Sequence, residues 1–324
     1  MTMDRRRFLC ACGAAGAGLL LPAARWRALA GEAAGDAAGA AGAAADSAAA
    51  AADLPDLALA RGAARDAVRR AVGALGGMER FLAPGQVAVV KPNVSFDAPP
   101  EWGATTHPEV LKAVLELLFE AGARRVIVAD HTMTNPERCF ARSGAAEAVA
   151  AFPKAKLVSL DDEKAYRPAE VPAGRVLKRT ELPRLLDRAD LLVNLPTAKS
   201  HSATGVSLGL KNLMGLVWDR GRFHAEMDLH QAVADLATAV RPGLTIIDAM
   251  QLLKTGGPTG PGDIEAFGGV VAGVDPVAAD ALGATLATWN RQTWAPARIA
   301  HLRAAEAHGL GTTDLDALKV ARLD

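Results

Sequence analysis

Short apolar runs alternate with amphipathic segments along most of the chain. The runs that read as buried strands lie at residues 87–90, 125–129, 157–160, 191–194, 244–247 and 270–272. Between them, residues 106–118 have the i, i+3, i+4 apolar spacing of a helix that begins at a Thr106 cap. Short, continuously apolar strands separated by helices are typical of a mostly parallel sheet covered on both faces. We therefore predict an α/β fold: a single domain with a mostly parallel β-sheet and helices on both faces.

Three segments differ in composition. Residues 1–30 have a charged start and an apolar middle, and residues 31–52 are almost entirely Ala and Gly, which is typical of a flexible linker. Residues 53–324 carry the alternating pattern and form the predicted domain. Within it, we expect a helix over 56–76 capped by Asp56, and a proline- and charge-rich excursion at the sheet edge over 161–183.

The N-terminal segment resembles a twin-arginine signal peptide. Arg5 and Arg6 precede Phe8-Leu9, an apolar stretch follows, and Ala28-Leu29-Ala30 fits a signal peptidase site. We predict export by the Tat translocase to the periplasm or beyond, with no stable membrane span in the mature form. Retention of the segment as an uncleaved anchor is the alternative.

Composition excludes several classes of function. The full chain has 36 basic and 36 acidic residues, and removal of residues 1–30 leaves an excess of acidic ones. A mildly acidic protein lacks the basic footprint of a nucleic-acid partner. Beyond residue 30 only Cys139 remains, so the mature chain has neither an intramolecular disulfide nor the cysteines for an iron–sulfur cluster.

Polar residues follow the predicted strands at the points where they end. Ligands bind beyond the carboxyl ends of the strands in a sheet of this kind. The residues in such positions are Lys91, Asn93, Asp130, His131, Asn194, Lys199, His201, Asp248 and Asp275. Asp248 and Asp275 are equally well explained as helix or turn caps, and Asp275 precedes a proline as an N-cap often does.

The segment 194–215 is the strongest candidate site. We predict that it is a loop entering a helix, whose free backbone N–H groups, with nearby lysines and hydroxyls, would bind an anion. The predicted ligand-binding residues are Lys91, Asn93, Asn194, Lys199, Ser207, Lys211 and Asn212. His201, His131 and Asp130 are the predicted catalytic residues, since an unperturbed histidine titrates near neutral pH. A plain loop with capping hydroxyls is the alternative.

A second cluster of polar residues suggests a metal. Asp228, His224, His230 and Asp248 are candidate ligands of a divalent cation, although the spacing of the first three does not match that of a zinc protease helix. Histidines that satisfy only surface or core contacts are the competing interpretation.

Three sequence elements together resemble a known family. Gly85–Asn93, ending in Lys-Pro-Asn, residues 191–215, ending in Lys-Asn-Leu-Met-Gly, and Ala272–Asp280 are similar to the family called domain of unknown function 362 (DUF362). The resemblance implies the fold and the positions of the site, and it implies no particular reaction. Some members carry ferredoxin-like cysteine clusters and are described as iron–sulfur proteins, whereas this chain lacks those cysteines.

These observations predict an exported enzyme that acts on a small anionic substrate, with a divalent metal as a candidate cofactor. A non-catalytic periplasmic ligand-binding protein needs the same lysines, and an accessory or maturation protein would need an exposed apolar patch. A histidine with a shifted pKa, in a cleft beside a second titrating group, favours the enzyme.

Overall fold

Thirteen strands and nine α-helices occur in residues 54–324, the part of the chain that this computed structural model describes. The strands are β1 (Leu57–Arg61), β2 (Val87–Pro92), β3 (Arg125–Asp130), β4 (Ala155–Ser159), β5 (Tyr166–Glu170), β6 (Arg179–Pro183), β7 (Leu191–Leu195), β8 (Thr197–His201), β9 (Gly205–Ser207), β10 (Leu244–Leu253), β11 (Ile264–Glu265), β12 (Gly269–Gly273) and β13 (Val320–Leu323). The α-helices are α1 (Ala64–Ala74), α2 (Pro108–Glu120), α3 (Pro136–Arg142), α4 (Ala145–Ala150), α5 (Gly209–Asn212), α6 (Gly221–Ala225), α7 (Leu229–Ala239), α8 (Pro276–Ala284) and α9 (Ala300–Glu306).

The main sheet has the strand order β13-β1-β12-β10-β7-β2-β3-β4. Neighbouring strands from β10 to β4 are parallel to one another. β12 runs antiparallel to both β10 and β1, and β13 lies parallel to β1 at the edge. The prediction of one α/β domain with a mostly parallel sheet is confirmed, with β12 as the reversed strand within this order.

Helices cover both faces of this sheet. Ala88 and Val90 join α1 and α2 in one large apolar cluster, whereas the alternate residues Val87 and Val89 are buried but lie outside that cluster. Side chains alternate between the faces of a strand, so Val87 and Val89 are buried on the opposite face. Helix α8 packs on β10 and β12 without joining the α1–α2 cluster.

The predicted helix over 56–76 is wrong in its first half. Leu57–Arg61 forms β1, which pairs with β12 and β13, and α1 begins only at Ala64. Gly62 lies between them with a φ of 127°, a backbone conformation that favours glycine and ends the strand. Leu57-Ala-Leu-Ala fits either element locally, and the pairing partners that make it a strand lie more than 200 residues away in the chain.

The predicted loop between residues 194 and 207 is instead a β-hairpin. Thr197–His201 forms β8, which pairs antiparallel with β9 and parallel with β10. Lys199 and Ser207 are direct partners across the hairpin. Both side chains are buried. β8 is therefore a buried strand without the run of apolar residues by which buried strands are recognised in a sequence.

The edge segment 161–183 contains β5 and β6, which form a separate two-stranded antiparallel sheet. Within residues 54–324, no helix combines the length and apolar character needed to cross a bilayer. The predicted signal peptide (1–30) and linker (31–52) lie outside the described residues.

Candidate functional site

A cavity of about 310 Å³ lies beyond the carboxyl end of β2. Asn93 and Ser95 line it just after that strand, and the segment Ser207–Gly215 contributes further wall residues. Five of its lining side chains are cationic or carry an imidazole: Lys199, His201, Lys211, Arg220 and His224. Of the described residues that line the cavity, none is an aspartate or glutamate. The wall is therefore rich in basic side chains and has no lining carboxylate.

Of the three cationic side chains in this wall, Lys199, Lys211 and Arg220, Lys211 has the fewest partners. It is 8% exposed and makes neither a side-chain hydrogen bond nor an ion pair with another described residue. Burial first, and the positive charge of Arg220 second, lower the pKa of the Lys211 ammonium from 10.5 to about 8. A buried cation without a partner is costly, and a bound anion would offset that cost.

Lys199 lines the same cavity with its donors already engaged. Its Nζ donates to Asn93 Oδ1 at 2.8 Å and to the carbonyl oxygen of Ala104 at 2.5 Å. It also lies 4.7 Å from the centre of the Phe96 ring, within cation–π range. Burial lowers the pKa of Lys199 well below its ordinary value, and no carboxylate forms an ion pair with it among the described residues. These contacts hold the Lys199 amine in one orientation in the cavity wall.

His201 presents one ring nitrogen to the backbone. Its Nδ1 accepts hydrogen bonds from the Ala203 and Thr204 N–H groups at 3.1 and 3.3 Å, so the neutral ring carries its proton on Nε2. Burial, followed by the positive charge of Lys211, lowers its pKa to about 3. The ring is therefore neutral at pH 7 and can donate Nε2–H without carrying a charge.

His224 stacks against His201, with ring centroids 6.2 Å apart. His224 is exposed while it lines the cavity, so it lies at the rim. Its pKa is lowered by burial and by Lys211. The sequence analysis placed His201 and Lys211 in one candidate segment, and the structure adds His224 to their cavity.

Arg220 completes the cationic wall, and the sequence analysis missed it. Its two terminal nitrogens donate to the carbonyl oxygens of His131 and Thr132 at 2.8 and 2.9 Å. These bonds hold the planar guanidinium in place and leave other N–H groups free to contact a ligand. Arg220 follows no predicted strand, so the rule that located Lys91 and Asn93 could not find it.

Lys91 and Asp130 form a buried ion pair beneath the cavity. Lys91 Nζ lies 2.8 Å from Asp130 Oδ1, and both side chains are fully buried. Asp130 also accepts from the Val94 N–H, the Ser95 hydroxyl and the His131 N–H. Neither Lys91 nor Asp130 lines the cavity. The predicted roles of Lys91 in ligand contact and of Asp130 in catalysis are therefore corrected to positioning, because their polar atoms are already partnered.

Asn212 connects this ion pair to the cavity. Its Oδ1 accepts from Lys91 Nζ at 3.1 Å and from Asn93 Nδ2 at 3.0 Å, and its Nδ2 donates to Asn194 Oδ1 at 2.8 Å. Asn93 in turn accepts from Lys199. Asn93 and Asn212 line the cavity, whereas Asn194 lies behind it and donates to the Gly209 carbonyl. The strand-end residues do converge, through amides rather than through lysines alone.

The N-terminus of α5 does not offer free N–H groups to an anion. Asp280 accepts from the Gly209 N–H at 2.7 Å and from the Leu210 N–H at 2.8 Å. Burial raises the pKa of this carboxyl to about 7, against the opposing effect of the two backbone bonds. The expected helix-end anion site is wrong, because a side chain from α8 already occupies it; the cationic side chains remain the candidate.

His131, the other predicted catalytic histidine, lies outside the cavity lining. Its ring stacks on Trp218 at 5.3 Å between centroids, and its Nδ1 lies 3.2 Å from the Val217 carbonyl oxygen. The structure places it in an aromatic cluster with Tyr166, so it contributes packing and not a cavity contact.

The four predicted metal ligands do not form one site. Asp228 caps α7 by accepting from the His230 and Gln231 N–H groups, and Asp248 accepts from the His107 and Met250 N–H groups. His230 stacks on His301, while His224 stacks on His201. Residues 54–324 contain no group of three or more His, Cys, Asp or Glu side chains arranged to hold a metal ion. The two carboxylates are thus engaged by backbone N–H groups, whereas His230 Nδ1 is buried without a hydrogen-bond partner.

Loop residues supply the rest of the wall. The Gly-Pro-rich run 256–262 places Pro258 and Thr259 against the cavity, and the Gly257 N–H donates to the Ser200 hydroxyl at 3.0 Å. Phe96, Met133 and Met214 add apolar surface. The glycine run was a visible sequence signal for such a loop, whereas nothing in the local pattern marks Phe96 or Met133 as wall residues.

The fold and site define an α/β protein with a cationic cavity at the carboxyl ends of its parallel strands. The profile of the family described as Domain of unknown function (DUF362) matches residues 88–285. The chain belongs to this family, and the match contains every cavity-lining residue discussed above.

A thylakoid-associated protein of Synechocystis sp. is 27% identical over 246 residues, which cover 74% of this chain and 73% of that protein. Two solved structures are more distant. The lactate racemase apoprotein from Thermoanaerobacterium thermosaccharolyticum is 17% identical with a TM-score of 0.46, covering 79% of this chain and 58% of its own. A Thermotoga maritima protein is 14% identical with a TM-score of 0.39, covering 58% of this chain and 51% of its own. The chain thus spans little more than half of these two structures.

Proposed function

We propose that the protein is an enzyme that binds a small anionic substrate in the cavity between Lys199, Lys211 and Arg220. The observation that carries this proposal is the wall itself, in which buried or half-buried cations and two imidazoles meet without a lining carboxylate. A cavity of about 310 Å³ is at the small end of ligand pockets, which fits a small organic anion.

Lys211 is the proposed reactive group in this site. A pKa of about 8 lets the amine exist in both protonation states near neutral pH, as proton transfer or nucleophilic attack by an amine requires. His201, which the sequence suggested for this role, is neutral at pH 7 because its pKa is about 3. We assign His201 to hydrogen bonding of the anion through Nε2–H.

Substrate-class screening tests this proposal. Thermal shift and calorimetry with phosphate and short-chain carboxylates should show binding to the wild type and to Lys112→Met, but at least tenfold weaker binding to Lys211→Met. Lys112 is a matched control because it is a surface lysine paired only with Glu109. Bound anions are then incubated in heavy water and followed by NMR for proton exchange or conversion.

Conversion or exchange that requires Lys211 supports the enzyme. Binding without any change in the anion would favour the non-catalytic ligand-binding protein instead. Absence of any Lys211-dependent binding would reject both and leave the accessory or maturation role.

We also propose that the mature protein works in the periplasm or outside the cell after export by the Tat translocase. The support is the Arg5-Arg6 pair before an apolar stretch. Changing both arginines to lysine should leave the precursor in the cytoplasm, whereas normal export of this variant would reject the assignment.

A further inference from the structure

We infer that Lys211 is a nucleophile that forms an imine with the carbonyl group of a small oxo acid. This inference rests on the proposed function, because it requires an anion in the same cavity. It adds the substrate class and a covalent step to that function.

Three buried lysines meet in this region, and their partners differ. Lys91 is paired with Asp130, and Lys199 is held by an amide oxygen, a carbonyl oxygen and an aromatic ring. Lys211 lines the cavity without a hydrogen bond or ion pair to another described residue. An amine that is to attack a carbonyl carbon needs a free lone pair and room for the substrate, and Lys211 meets both conditions.

The surroundings of Lys211 make its neutral form accessible near neutral pH. Burial, and after it the positive charge of Arg220, lowers the pKa of Lys211 to about 8. No lining carboxylate is present to restore the ammonium form. Desolvation and a neighbouring cation are the two physical means by which proteins activate a lysine nucleophile.

The same neighbours define the substrate. Arg220 retains N–H groups beyond its two backbone bonds, so it can hold a carboxylate. Arg220 and Lys211 line the same cavity, so an acid whose carboxylate binds Arg220 can present its carbonyl group to the amine within that cavity. The volume of about 310 Å³ limits such a substrate to a small oxo acid.

The step balances without an added oxidant or reductant. The Lys211 nitrogen forms a bond to the carbonyl carbon, and the carbonyl oxygen leaves as water with two protons that the amine gives up. A C=N bond replaces the C=O bond. The electron-poor imine carbon then makes the adjacent C–H or C–C bond easier to break, which is the chemistry such a lysine provides.

Borohydride trapping tests the inference on the full-length protein. Glyoxylate, pyruvate and 2-oxoglutarate are each added with sodium borohydride, which delivers hydride to the imine carbon and fixes a secondary amine. Peptide mass spectrometry should find the adduct on Lys211 at least tenfold above the surface control Lys112. Acetate, propionate and glutarate, which lack the oxo group, should give no adduct.

The Lys211→Arg variant separates charge from nucleophilicity. It keeps a cation in the wall, so it should still bind propionate or glutarate while losing the adduct. If these acids bind in a Lys211-dependent manner but no oxo acid labels Lys211 above Lys112, the imine inference is overturned and the anion site stands. If neither the acids without an oxo group nor the oxo acids bind, both the imine inference and the proposed function are rejected.

Discussion

Two neighbouring regions of this molecule bury lysines in opposite ways. Beneath the cavity, Lys91 is matched by Asp130, and each remaining polar atom of the network reaches an amide or a backbone group. In the cavity wall, Lys211 is almost as deeply buried and has no such partner among the described residues. A complete network holds its members in one geometry, whereas an unpartnered cation that lines a cavity is available to a ligand. The comparison separates the framework of the site from its reactive part.

The largest change in stability is expected in the Lys91–Asp130 network, where every polar atom has a partner. Lys91→Met should lower the free energy of unfolding by about 3–5 kcal/mol, because it leaves the Asp130 carboxylate buried without its cation. Urea denaturation measures this change. The double variant Lys91→Met with Asp130→Asn should recover part of the loss, and purely additive losses would show that the pair is not coupled.

Lys211→Met should change the free energy of unfolding in the opposite direction. It removes an unpartnered buried charge and keeps most of the apolar stem, so the free energy of unfolding at pH 7 should rise by about 1–3 kcal/mol. The same urea titration measures it beside Lys91→Met. A loss of stability comparable with that of Lys91→Met would mean that Lys211 has a structural partner, which would remove the contrast between the two regions.

The network around Lys91 beneath the cavity was easier to predict from sequence than the cationic cavity wall. Lys91, Asn93 and Asn194 follow apolar runs, and parallel strands bring their carboxyl ends to one edge of the sheet. Lys199 and His201 were predicted to lie in a loop but belong to β8, since a buried polar strand has no apolar signature. Arg220 lies in a loop, and Asp280 reaches Gly209 across 71 residues, so neither contact has a local signal.

A third prediction concerns stability in acid. His301 is fully buried with neither ring nitrogen partnered, and burial followed by the charges of His230 and Lys211 lowers its pKa to about 3. Between pH 6.5 and 3 the unfolded chain binds this proton and the folded protein does not, so stability falls as pH decreases. Asp280, whose pKa is raised, acts in the opposite direction.

His301→Leu should therefore reduce the stability lost between pH 7 and pH 5 by roughly 1–2 kcal/mol. Comparing the wild type with the variant by urea denaturation at both pH values cancels the contribution of Asp280. An unchanged loss would mean that His301 is protonated in the folded protein at pH 5.

The smallest expected effect belongs to His201. An asparagine there can still accept from the Ala203 and Thr204 N–H groups but lacks the Nε2–H donor. His201→Asn should thus weaken anion binding about tenfold, or roughly 1.4 kcal/mol, without a change in fold. Calorimetry at pH 7 checks this.

Direct titration of Lys211 tests the central claim, that an unpartnered cation in the wall is the anion-binding and reactive group. Heteronuclear NMR of the lysine side chains, with the Lys211 signal assigned from its absence in Lys211→Arg, should give a pKa of about 8. Addition of a binding anion should raise that value, since an opposite charge favours the ammonium form. A pKa near the ordinary 10.5 that does not respond to any of the anions tested would contradict the account.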